Sequence, residues 1–426
     1  MSRNLHNEFK YRKIKKPNKL IAFIVIIAIK IISKKRNVKF SYSDDYLKLN
    51  KKQIIVLSQH CSKDDYIYVF AGLKRSDVHI ICGYQNVFQK GVYFLLKKLG
   101  VIAKYLYQPD ASSSKQMLGA LKLGDSLAIF PEGIQSTSGS THPINPATIN
   151  FLVKMKLPVV LTTIKGSYFT RTRYSTDVKK GKIEVNYDVL FNVEDYEKYS
   201  KEELYQKLLN AFKYNEYDYN KQEKVEFIGK KPNIYGLDNI IYKCPHCNSE
   251  FKFQVKDSNM KCLNCKFEFT MNNRYEISPI NKELPFENVD IWYKWQRNLI
   301  SKEVKSDSFI LETKVKLYTI NTKKLGKNYS LIEIGEGLLT LTNKGLQYKG
   351  VKNGEEVDVF FEANQVYSLS ISLAYELDMY YKNEYYCFKP LNDDKQVVKW
   401  MLASEEIHNM YDEKWRKASE EVYFYE

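Results

Sequence analysis

His60 and Asp65 are separated by four residues in Q-H-C-S-K-D-D, directly after the apolar run I-I-V-L-S at 54 to 58. An imidazole needs a carboxylate to fix its tautomer before it can draw a proton from an alcohol. A second motif, F-P-E-G from Phe130 to Gly133, also follows an apolar run, and Glu132 stands 72 positions beyond His60. Pro131 ends the strand ladder there, and Gly133 permits a tight loop. A third set is C-P-H-C at 244 to 247 and C-L-N-C at 262 to 265, two C-x-x-C pairs with 14 residues between them. Thiolates of Cys244, Cys247, Cys262 and Cys265 at this spacing are expected to converge on a structural Zn2+ in a closed tetrahedral shell. A redox dithiol is the alternative. His246, inside the first knuckle, is expected to face solvent rather than the ion.

These groups need a scaffold, and 426 residues predict a multidomain chain of two to four units. From 44 to 225, short β-branched runs at 54 to 58, 78 to 82, 126 to 130 and 158 to 164 alternate with helix candidates over Val87 to Leu99 and Ser114 to Lys122. That alternation predicts an α/β domain with a mostly parallel sheet. Asp110 to Ser113 supplies N-cap chemistry for the second helix. Residues 196 to 225 read as an amphipathic helix closing the domain, followed by a polar linker. A small zinc ribbon spans 242 to 273, and a second linker is expected through Lys305. From Phe309 to Pro390 the apolar period is close to two, with turn signals at Asn343-Lys344-Gly345 and Asn353-Gly354, and a helix follows from Asp393 to Met410. A β-rich domain over 306 to 426, about seven strands in a β-barrel or sandwich closed by one helix, is the expectation.

The formal charge is +16, and residues 1 to 43 hold 12 Lys or Arg against one Glu. An excess so localised argues against a nucleic-acid groove, and no nucleic acid is expected as a partner. The apolar run at 20 to 32, at about 1.5 Å per residue, reaches roughly 20 Å against a hydrocarbon core of about 30 Å. Ser33-Lys34-Lys35-Arg36 follows where a leader peptide would need small residues. With basic residues on both flanks, residues 1 to 43 read as a membrane-anchoring segment on an anionic leaflet. Cys61, Cys82 and Cys387 have no patterned partners, which suits a reducing compartment. The placement expected is the cytoplasmic face of a membrane, peripheral or monotopic.

The H-x-x-x-x-D and F-P-E-G motifs, with K-L-G-V-I-A-K at 98 to 104 and K-L-P-V-V at 156 to 160, resemble in order the four blocks of the glycerolipid acyltransferase family. The resemblance spans about residues 15 to 222. It implies transfer of a fatty acyl group from acyl-CoA or acyl-ACP to the hydroxyl of a lysophospholipid, foremost 1-acylglycerol-3-phosphate. His60 would be the general base and Asp65 its orienting partner. Glu132 and Gly133 would shape the acceptor pocket, and Lys104, Arg171 and Arg173 would hold an acceptor phosphate. Cys61, beside the base, is not required as a nucleophile. The chain departs from the family where Ile134 and Gln135 follow F-P-E-G in place of an Arg, where Lys104 replaces an Arg, and where Gln59 replaces an Asn. Those changes bear on the acceptor more than on the reaction.

The C-terminal module is similar in topology to pleckstrin-homology or GRAM-type domains. Val397, Trp400 and Met401 at helical spacing read as core. The alternative reading of the whole is a membrane-tethered zinc-ribbon adaptor, or a nucleic-acid-binding protein, with an inactive acyltransferase fold.

Overall fold

The computed structural model describes residues 4–325, 331–372, 375–392 and 394–423, so the expected helix start at Asp393 lies outside the described residues. Seven strands form the first sheet: β1 (Val38–Tyr42), β2 (Ile55–Ser58), β3 (Val78–Gly83), β4 (Ile102–Lys104), β5 (Ser126–Ile129), β6 (Val159–Lys165) and β7 (Ile183–Phe191). Their order is β1-β7-β6-β2-β5-β3-β4, and every pairing is parallel except β6 with β7. All four residues of β2 are buried, which is why this central strand reads as an unbroken apolar run rather than as an alternation. Leu57 of β2 pairs with Ile129 of β5. Parallel neighbours discharge their C-terminal loops at one edge, so the His60 loop and the F-P-E-G loop emerge side by side.

Two helix expectations change. The segment expected to be helical over Val87 to Leu99 is a 3-10 turn, Tyr84–Val87, then a helix Val92–Lys98, with Gly91 at φ +85° between them. The long helix expected over 196 to 225 is three helices, Asp195–Lys198, Lys201–Phe212 and Glu216–Glu223. Ser200 and Glu203 form a capping box that starts the second, and Asn215 caps the start of the third; both start signals lie inside one apolar period.

The cysteine segment forms a four-stranded antiparallel sheet of β8 (Phe253–Lys256), β9 (Asn259–Cys262), β10 (Glu268–Met271) and β11 (Ile277–Pro279). The linker expected through Lys305 is corrected: it contains a helix, Val289–Glu303, capped by Asn288 on the N–H of Ile291. Val289, Trp292, Tyr293, Gln296 and Ile300 are its buried face, at the 3.6-residue period of an amphipathic helix. Trp292 packs among Phe253, Phe267, Phe269 and Phe286. Its long polar flanks masked this period in the sequence.

The C-terminal sheet has seven antiparallel strands, β12 (Ile310–Ile320), β13 (Leu331–Thr342), β14 (Gly345–Lys352), β15 (Glu355–Glu362), β16 (Ser370–Ser372), β17 (Glu376–Tyr381) and β18 (Glu384–Pro390). Their order is β15-β14-β13-β12-β18-β17-β16, with no pairing of β15 to β16 among the described residues. Asn353 and Gly354, at φ 56° and 88°, make the expected β14–β15 turn. The closing helix is Val397–Tyr411, and a second helix, Glu413–Tyr423, follows it. One buried cluster runs from Cys61, Tyr168 and Phe169, in loops and a short helix at the edge of the first sheet, through Phe253 and Trp292 to Trp400 and Leu402, while the strands of the first sheet pack in clusters of their own.

Candidate active site

His60 leaves the end of β2 with its ring 4.7 Å from that of Phe130. Its Nδ1 lies 3.3 Å from Asp65 Oδ2. In the tautomer with the proton on Nδ1, that nitrogen donates to the carboxylate and Nε2 is left as a free base. The His60 side chain is 19% exposed and that of Asp65 is fully buried. Asp65 opens the helix Asp65–Leu73, and its carboxylate also accepts the N–H of Ser62 at 2.6 Å and the hydroxyl of Ser167 at 2.7 Å. Three donors hold the carboxylate oriented. The base and its orienter are thus brought together.

Glu132 is buried and braces this loop. Its Oε1 accepts the N–H of His60 and its Oε2 the N–H of His142, each at 2.8 Å. Burial pushes its carboxyl up to about 7, against the pull of those two N–H groups. The N–H of Ser136 donates back to the carbonyl of His60 at 2.8 Å, closing a second tie between the two loops. Gly133, at φ +77°, lies under the ring of Tyr107, where an added Cβ would sit 3.3 Å from the ring. Gln59 accepts the N–H of Ile164 through its side-chain oxygen. Cys61 is buried, and burial with Asp65, Glu216 and Glu132 nearby pushes its thiol far up, so it is a poor nucleophile.

The cations named from the sequence have other partners. Arg173 is buried and directs its guanidinium to the carbonyls of Gln135 and Ile371, both at 2.7 Å, where it joins the first domain to β16. Arg171 pairs with Asp64 at 2.9 Å, and Arg36 pairs with the other oxygen of the same carboxylate. Lys104 donates to the carbonyls of Tyr105 and Gln108, and burial lowers its pKa. Sequence reasoning passed over Lys63, between His60 and Asp65. It is half-buried beside Arg171 and Arg173, and no hydrogen bond or ion pair reaches it among the described residues. It also passed over Ser167 and His142, whose roles are long-range and leave no local pattern.

The Sγ atoms of Cys244, Cys247, Cys262 and Cys265 all lie within 4.8 Å of one another, with Cys244 to Cys265 at 3.6 Å and Cys247 to Cys262 at 3.8 Å. A tetrahedron with metal–sulfur bonds of about 2.3 Å has edges of about 3.8 Å, so the four thiols fit one metal ion. His246 is exposed and meets the carbonyl of Glu283 instead.

Residues 35–165 match the family model described as Acyltransferase, under a third of the chain. The part of the chain that holds the His60–Asp65 pair is therefore the part that is similar to the Acyltransferase family. The crystal structure of the 1-acyl-sn-glycerophosphate (LPA) acyltransferase PlsC from Thermotoga maritima is similar over 43% of this chain and 80% of that one, at 16% identity and a TM-score of 0.34. No curated protein matches the chain.

Proposed function

We propose that this protein transfers a fatty acyl group from an acyl thioester, acyl-CoA or acyl-ACP, to the hydroxyl of a lysophospholipid at a membrane surface. The observation that carries the reading is the His60–Asp65 pair, with Nε2 free, at the edge of an acyltransferase-family domain. Nε2 takes the hydroxyl proton as that oxygen attacks the thioester carbonyl. The new C–O bond forms, the C–S bond breaks, and the imidazolium returns its proton to the leaving thiolate. Asp65 stabilises the imidazolium in between. Motif order favours 1-acylglycerol-3-phosphate as the acceptor, and unpaired Lys63 is the cation best placed for its phosphate.

The helix Lys19–Lys35 supports a leaflet-bound enzyme. Leu20, Phe23, Ile24, Ile27 and Ile31 are exposed at helical spacing along one face, with Lys34, Lys35 and Arg36 at its end. No helix among the described residues is long and apolar enough to cross a membrane. Arg36 ties this helix to Asp64, next to the orienting carboxylate. The four thiolates are read as a structural zinc site, closed to substrate.

The test is His60→Ala in the purified protein, offered lysophospholipids and a labelled acyl thioester. Loss of product with an unchanged melting curve is expected; transfer at the original rate would remove His60 as the base. Ile24→Glu with Ile27→Glu should reduce sedimentation with anionic vesicles, and unchanged sedimentation would remove the leaflet assignment.

A further inference from the structure

We propose that a cleft between the acyltransferase domain and strand β17 receives a primary ammonium group on the acceptor's headgroup, with Asp378 as its counter-ion. The inference rests on the acyl-transfer reading above but departs from its favoured acceptor, replacing the bare phosphomonoester by a headgroup that also carries an ammonium.

The cleft is lined by Tyr107, Tyr367, Ser368, Ser370, Asp378 and Tyr380, among others. Asp378 is 8% exposed, and no hydrogen bond or ion pair reaches its carboxylate among the described residues. The hydroxyl of Tyr107, on the facing wall, is buried and also without a partner. A buried phenol oxygen without a partner calls for an explanation, and an unpaired carboxylate lining the same cleft points to a ligand. A carboxylate, a phenol oxygen and aromatic rings together suit a cation with N–H donors. Arg173 acts on Asp378 through its charge, but its guanidinium is hydrogen-bonded to backbone carbonyls and forms no ion pair with Asp378 among the described residues. Burial, and after it the neighbouring Glu376, push the Asp378 carboxyl up to about 7 against the pull of Arg173.

Size and position narrow the ligand. The cleft has room for a group about the size of one water molecule, which admits –NH3+ and excludes a trimethylammonium. Tyr107 stacks on Tyr367 at 4.0 Å and covers Gly133 with the same ring, so a single ring separates the cleft from the F-P-E-G loop. Lys63 feels the charge of Glu376, two residues from Asp378 on β17. A phosphate at Lys63 and an ammonium at Asp378 reproduce the two charges of a phosphoethanolamine headgroup.

The test offers the full chain three lysolipids with one acyl tail and headgroups ending in a primary ammonium, a trimethylammonium or a bare phosphomonoester. With a labelled acyl thioester, kcat/KM for the primary-ammonium acceptor is expected to exceed that for the trimethylammonium one by roughly tenfold. Asp378→Asn should erase that preference and leave turnover of the phosphomonoester within about twofold. Equal use of the two amines, or an equal loss on all three acceptors, overturns the proposal. Calorimetry with glycerophosphoethanolamine, which has no tails, reads the site without the chemistry. If no acceptor is acylated yet this compound binds and Asp378→Asn weakens it, acyl transfer falls and the ammonium site stands. Failure to bind overturns the site. Ethanolamine binding as tightly as glycerophosphoethanolamine assigns the cleft to a free amine and overturns the headgroup.

Discussion

The backbone N–H of His60 donates to Glu132 Oε1 at 2.8 Å across 72 residues of chain. The acid of F-P-E-G thereby sets where the base's backbone sits, while its other oxygen holds His142. Glu132→Gln leaves one of these two N–H groups facing an amide N–H. The cost is about 1 to 3 kcal/mol. A drop in kcat of roughly ten- to a hundredfold is expected, with the melting temperature lowered, by steady-state kinetics and calorimetry.

Asp65→Asn removes the acceptor that selects the tautomer of His60. Transfer should fall by roughly a hundred- to ten-thousandfold, as when a base loses its orienting acid. Ser167→Ala removes only one donor to the same carboxylate, a loss of about 1.5 kcal/mol, so a drop of roughly tenfold is expected. Ranking the two by kcat checks the order.

Arg297 is buried between Glu405 and Glu406, and its guanidinium lies over the ring of Tyr423, 3.9 Å from the centroid. The hydroxyl of Tyr423 meets His142 Nδ1 at 2.8 Å, so the C-terminal helix reaches the residue that braces Glu132. Arg297→Met strands two buried carboxylates and should cost roughly 3 to 5 kcal/mol. Since loops at the edge of the first sheet share one buried cluster with the ribbon and the C-terminal sheet, thermal unfolding of the wild type should be a single transition; two separated transitions would contradict it.

Asp378 makes stability depend on pH with a defined sign. Its carboxyl is raised from 3.8 to about 7 on folding, so the folded chain binds the proton more tightly. Stability from this group is full below the unfolded value and is lost as pH rises through the folded one. Asp378→Asn should therefore raise the melting temperature more at pH 8 than at pH 4, provided Glu376 and Arg173 are kept.

Stripping metal with a strong chelator, or Cys262→Ser, should lower the melting temperature and loosen the packing of Trp292 against the ribbon phenylalanines. Trp fluorescence and metal analysis of the same sample check this. Unchanged stability in a metal-free sample would leave the four cysteines without a structural role.

Residue types and spacing were enough to find what is local. A helix cap at Asp110, a hairpin turn at Asn353-Gly354 and two C-x-x-C pairs depend on a few neighbouring residues, and each is where the chain pattern put it. The His60 and F-P-E-G motifs were legible for the same reason, since a parallel sheet presents its strand-end loops together. The helix Val289–Glu303 was missed because its polar flanks diluted a period that only burial against Phe253 and Phe269 reveals.

Partnership over long range was decided by folding alone. Arg171 and Arg173 look free in a list of letters, yet Asp64 lies 107 residues before the first, and the carbonyl of Ile371 lies 198 beyond the second. The isolation of Asp378 is equally invisible from its neighbours, because a buried charge is defined by everything that could have reached it and did not. Short-range stereochemistry is written in order along the chain; charge compensation is a property of the packed interior, where distance through space replaces distance in sequence.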